Sequence, residues 1–179
     1  FHEVFPECNA WFLNADLFVV GSASPLHIDI SNAERRMNEP LIAEGMRQAG
    51  FADTTDLLSC FFMSRDAIAS FSKAVPALTD DRPWVEFLAP RLLRRQTVGA
   101  SLRALIPYFE SPLAAVVSSG PREGGLSLHG PLELRYRARR ITLDGIYAVY
   151  HGGPEGEPER RFGQALDMDP GESLARAYY

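Results

Sequence analysis

Apolar and polar positions along the chain first mark out a pair of strands. Residues 11–13 and 17–20 are short apolar runs split by Asn14-Ala15-Asp16. Two β-rich runs across an Asn/Asp turn predict an antiparallel hairpin. The run 17–20 is apolar without alternation, which predicts a strand buried on both faces. "PLHIDIS" adds a short extended piece, after which the period changes to that of helices.

Ser31 and Glu34 have the spacing of a capping box, so a helix is expected over "NAERRMNEP". Pro40 interrupts or restarts it. Beyond Pro40, Leu41, Ile42, Met46 and Ala49 fall on one helical face, and Gly50 stands at the C-terminal cap. Asp53 is placed to cap a helix burying Leu57, Leu58, Phe61 and Phe62. Ser64 is placed to cap another, burying Ile68, Phe71 and Val75. A turn, Asp80-Asp81-Arg82-Pro83, then feeds "WVEFLAP", a strand closed by Pro90.

The pattern after residue 91 is helical. "RRQTVGASLRALIPYF" and "SPLAAVV" predict helices, and "SSGPREGG" reads as a linker. "ELRYRARRITLDGIYAVYHG" and "PERRFGQALDMDP" predict two more helices around a Gly/Pro-rich loop. Leu132, Tyr136, Ile146, Val149, Phe162, Ala165 and Leu166 are expected to turn inward, with this tail leaning on the helices at 97–117 or on another molecule. A boundary is expected near residue 91 and a softer one near 124. The overall class is α+β: α/β at the N-terminal end, then mostly α.

Composition narrows the function classes. The net charge of −5 argues against a nucleic-acid partner, which would favour a basic face. Two local basic groups stand out: Arg91, Arg94, Arg95 and Arg103, then Arg135, Arg137, Arg139 and Arg140. Both are read as solvated helix faces, with an anionic partner or membrane surface as the alternative. No apolar run is long enough for a membrane helix. Cys8 and Cys60 form neither a CxxC pair nor a disulfide framework, which suits a reducing compartment. Phe1–Pro6, without a methionine, reads as the middle of a longer polypeptide.

Candidate chemistry is sparse. His27 and Asp29 supply two metal ligands in HxD spacing, but no third follows, so no metal is assigned. "GSAS" lacks the GxSxG spacing of a nucleophile elbow, and "GPREGG" and "HGGPEGEP" lack the spacing of phosphate-binding loops. The remaining group is Asp80, Asp81 and Arg82. An Asx turn followed by proline explains it structurally. Paired carboxylates can also hold or deprotonate an amine, and an arginine can clamp an anion.

"FHEVFPECNAWFLNADLFVVGSASPL" followed by "FSKAVPALTDDRPWVEFLAPR" resembles the later part of spermidine synthase-like proteins. The similarity is to the large bacterial type, where a membrane region is fused ahead of the synthase-like domain. It covers roughly residues 1–91, with TDDRP, in the segment 79–90, as its most specific element. The resemblance implies that residues 1–91 end a spermidine synthase-like domain, with the last strands of a methyltransferase-like Rossmann sheet. It also implies substrate-side roles for Asp80, Asp81, Arg82 and Trp11. Pro6 and Trp11 keep the Pro and Trp of the Tyr-Pro-Ser-Gly-x-Trp stretch found beside the amine pocket of polyamine synthases.

The family's glycine-rich loop, ribose-holding acid and catalytic aspartate all precede the region matched here. No catalytic residue or cofactor is therefore assigned to this chain. Decarboxylated S-adenosylmethionine, or a related adenosyl sulfonium, is the donor implied for the parent protein. The implied partner is the remainder of the parent polypeptide, anchored in the inner membrane with this part on the cytoplasmic side. Residues 92–179 form the helical second region, and "ALDMDPGESLAR" resembles the junction between two tetratricopeptide repeats. The alternative is a non-catalytic helical module that docks a protein partner through this tail.

Overall fold

The computed structural model describes Phe1 and residues 4–13, 16–26, 28–73, 97–113 and 122–179, with backbone alone in 122–129. The turn and strand expected over 79–90, and Arg91, Arg94 and Arg95, lie outside the described residues, as do Val75 and His27. The described chain is α+β: a three-stranded antiparallel sheet followed mostly by helices.

The hairpin forms as its apolar runs predict. Strand β1 (Glu7–Leu13) pairs antiparallel with β2 (Asp16–Ser22), from Glu7 opposite Ser22 to Leu13 opposite Asp16. On its other edge β1 pairs with β3 (Phe61–Met63), giving the order β2-β1-β3. The register slips between Ala10 and Trp11, which face Met63 and Phe61. Cys8, Ala10 and Phe12 are buried while the alternate residues of β1 are half-exposed, the period of two that a strand imposes.

The double burial expected of β2 is overturned. Leu17, Phe18, Val19 and Val20 are 38%, 52%, 41% and 45% exposed. β2 is the outer strand among the described residues, and the sheet's main core lies on the far side of β1.

Helix α1 (Ile30–Met37) starts two residues earlier than the capping box predicts. Asp29, not Ser31, caps it, accepting from Asn32 N at 2.9 Å. Its carboxylate satisfies an orphan N–H of the first turn, and Asp29 is thereby engaged. Helix α2 (Pro40–Gln48) begins at Pro40 and ends before Gly50, whose φ of 87° needs glycine. Its apolar face finds no core: α2 buries no residue and Leu41 is 90% exposed.

Helix α3 (Thr54–Leu58) is capped by Asp53, and α4 (Arg65–Ser72) by Ser64, as predicted. Between them the expected helix through Phe61 and Phe62 is instead β3. Phe12 N donates to Cys60 O at 2.7 Å and Phe62 O accepts from Glu110 N at 3.0 Å, so the backbone is held from both sides. Tertiary hydrogen bonds here override a local helical pattern.

Helix α5 (Val98–Leu105) runs into a 3₁₀ turn (Ile106–Tyr108). Helix α6 (Arg122–His151) begins within the predicted linker, at Arg122, and carries Pro131 inside it. Glycine's cost of about 1 kcal/mol is a weak signal against propagation of a long helix. Helix α7 (Glu157–Met168) folds back on α6, and α8 (Ser173–Tyr178) follows the break at Asp169-Pro170-Gly171. At Gly145 a Cβ would stand 2.7 Å from Phe162 Cε1, so glycine sets the closeness of α6 and α7.

One core joins the two halves of the sequence: Ala10, Phe12, Phe62, Met63 and Ala67 pack with Leu102, Ile106, Phe109, Leu143, Ile146, Phe162 and Leu174. Rings run through it from Phe12 to Phe62 to Phe109 to Tyr136, at centroid spacings of 5.7, 5.0 and 4.9 Å. Leu132, Phe162 and Ala165 are buried and Tyr136 and Leu166 half-buried, as expected of an inward-turned tail. Val149 is the exception at 45% exposed, because α5 covers α6 on another face.

Candidate functional site: a buried charge cluster

The densest ionic chemistry among the described residues lies where α3, α6 and the α7–α8 break meet. Asp56 enters from α3, Arg135 and Arg139 from α6, and Asp169 and Glu172 from the break. All five are buried, Glu172 completely. Arg135 and Arg139 are four residues apart, hence on one helical face, and they share it with Leu132 and Leu143. The helix thus directs two cations into the interior.

Arg135 is shared between two carboxylates. Its Nη1 donates to Asp56 Oδ1 and its Nε to Asp169 Oδ2. The second oxygen of each acid is also engaged: Asp56 Oδ2 accepts from Ala52 N at 2.8 Å, and Asp169 Oδ1 from Gly171 N at 2.9 Å. Burial works against the Arg135 charge, but the hydrogen bonds to Asp169 and Asp56 outweigh it and hold the guanidinium more firmly protonated than usual. A Cβ on Gly171 would collide with that guanidinium, which would have to shift against its two carboxylates to make room.

The second pair is less complete. Arg139 Nε lies 2.8 Å from Glu172 Oε1. The N–H does not point along that line, and neither Nε nor either Glu172 oxygen makes a hydrogen bond among the described residues. Two arginines and three acids leave the cluster one negative charge in excess. Buried ionic groups of this kind are held by geometry, and removing one partner of a pair typically costs about 3–5 kcal/mol.

Cys60 borders the cluster. Its Sγ donates weakly to Asp56 O at 3.6 Å, and the Arg139 guanidinium lies against it. Burial pushes the thiol up from its ordinary value, with Arg139 pulling partly the other way. Cys8 is likewise pushed up by burial, with Arg65 opposing. Neither thiol is an activated nucleophile in this state.

Of the residues singled out by sequence, Trp11 is half-buried on β1. Its Nε1 donates to Asn9 Oδ1 at 2.7 Å, and its ring meets Phe61 edge-on at 5.7 Å. Asp80, Asp81 and Arg82 lie outside the described residues. The reading of Arg135, Arg137, Arg139 and Arg140 as a solvated face is corrected. Only Arg137 is exposed, while Arg140 donates to Ile106 O at 3.2 Å. Arginines four apart within an apolar stripe, with Asp-Pro-Gly-Glu downstream, were the available signal. Among the described residues no group of His, Cys, Asp and Glu could hold a metal, and no helix is long and apolar enough to cross a membrane. No protein-family model, curated protein or solved structure matches the chain.

Proposed function

We propose that the chain is the C-terminal portion of a spermidine synthase-like, aminopropyltransferase-type protein. On this reading β1 and β2 are the last strands of a methyltransferase-like Rossmann sheet, and residues 92–179 are a helical cover ending in tetratricopeptide-like helices. The parent protein is anchored in the inner membrane, with this part on the cytoplasmic side.

The observation that carries the reading is the state of β2. Four consecutive apolar residues, Leu17 to Val20, face solvent on both sides of the strand, and its outer edge has no strand partner among the described residues. Such a strand is at home inside a sheet covered on both faces. A further strand beside β2 and helices over it would supply that setting.

The reaction would be attack of an amine nitrogen on the methylene next to a sulfonium. The new N–C bond forms as the C–S bond breaks, the thioether departs with the electron pair, and the amine proton passes to a carboxylate. Decarboxylated S-adenosylmethionine or a related adenosyl sulfonium is the donor, held by the preceding part of the polypeptide. Asp80, Asp81, Arg82 and Trp11 are assigned to the amine side, where their work is positioning.

The test compares this chain with the longer polypeptide that its gene encodes, by calorimetric titration with the donor and by aminopropyl transfer to putrescine. Transfer by the longer protein, with no donor binding by the chain alone, is the expected result. Micromolar donor binding by the chain alone, or no transfer by the longer protein, overturns the proposal. The second reading, a non-catalytic protein-docking module, is favoured by the close packing of α6, α7 and α8 through Ala138, Ala165 and Ala175. A preceding polypeptide without a glycine-rich loop or catalytic acid would select it.

A further inference from the structure

We draw no further inference here: the strongest candidate, the open groove between α5 and α6 lined by Arg103, Ile106, Asp144, Tyr147 and His151, carries nothing, because Arg103 and His151 stand exposed at the surface and nothing in the structure shows what would occupy the space between them.

Discussion

Strand β1 has a neighbour on each edge, and the two could hardly differ more. β3 is three residues long, and Phe61, Phe62 and Met63 are each 1% exposed. β2 is seven residues long and as apolar at its centre, yet Leu17 to Val20 stand in solvent. Both pair antiparallel with the same strand, β2 along its whole length and β3 with a register slip. The difference is made by what lies beyond them. Glu110 closes the far side of β3, its backbone N–H donating to Phe62 O at 3.0 Å and its Oε2 accepting from Ser64 N at 2.9 Å. The ring of Phe109 stacks on Phe62 at 5.0 Å. Among the described residues β2 has no such counterpart. Hydrophobicity of a strand therefore records the environment it is suited to, and packing decides whether that environment is present.

The largest expected effect tests the buried side. Phe62→Ala removes a ring lodged between Phe12 and Phe109, and should destabilise the fold by about 3–5 kcal/mol. Phe18→Ala, on β2, should cost no more than about 0.5 kcal/mol because its ring is already half in water. Urea denaturation followed by circular dichroism measures both. Equal shifts in the two midpoints would abolish the contrast.

What could be seen in the sequence follows the same division. Local rules sufficed for the hairpin, for Asp53 and Ser64 as caps, and for Gly50 as a helix end, because each depends on a few neighbouring residues. β3 was hidden, since three apolar residues carry no period, and its strand state comes from partners some fifty residues away in each direction (Phe12 and Glu110). Arg135 and Arg139 were misjudged for a related reason. An arginine on a helix is ordinarily solvated, and only the distant arrival of Asp56, Asp169 and Glu172 makes burial tolerable. The cap of α1 shows the limit of motif matching: Ser31 and Glu34 fit the pattern, but it is Asp29 that accepts from Asn32 N in the first turn. For the candidate site, the residue types were visible but not their convergence.

A smaller effect sharpens the buried side through pH. Burial holds the Cys60 thiol above its ordinary value of 9.0, so the folded state keeps its proton where the unfolded chain loses it. The stability this provides is present in full below that value and is lost as pH rises through the folded one. Cys60→Ala should therefore flatten the decline of melting temperature between pH 8.5 and the alkaline limit, measured against the unaltered protein in the same buffers. Cys8 and the tyrosines Tyr136 and Tyr178, also pushed up by burial, remain in both proteins and cancel in the difference. Identical alkaline profiles would mean that the region around Cys60 opens to water before the thiol titrates.

The smallest effect on folding belongs to β2, and it tests the exposed side directly. Val20 lies opposite Asn9 in the ladder and is 45% exposed, so it has little packing to lose. Val20→Lys should leave the urea midpoint within about 0.5 kcal/mol of the original, since a lysine stem lies along an apolar strand with its ammonium in water. Its effect should instead fall on association. An apolar edge with unpaired N–H and C=O groups is a template for another strand, and a lysine on that edge is the usual deterrent. Light scattering at rising concentration should show self-association for the original chain and less of it for Val20→Lys. If the substitution instead destabilises the monomer by about 1–3 kcal/mol, Val20 is packed in solution. β2 would then be covered from within the chain, and the observation on which the proposed larger sheet rests would be gone.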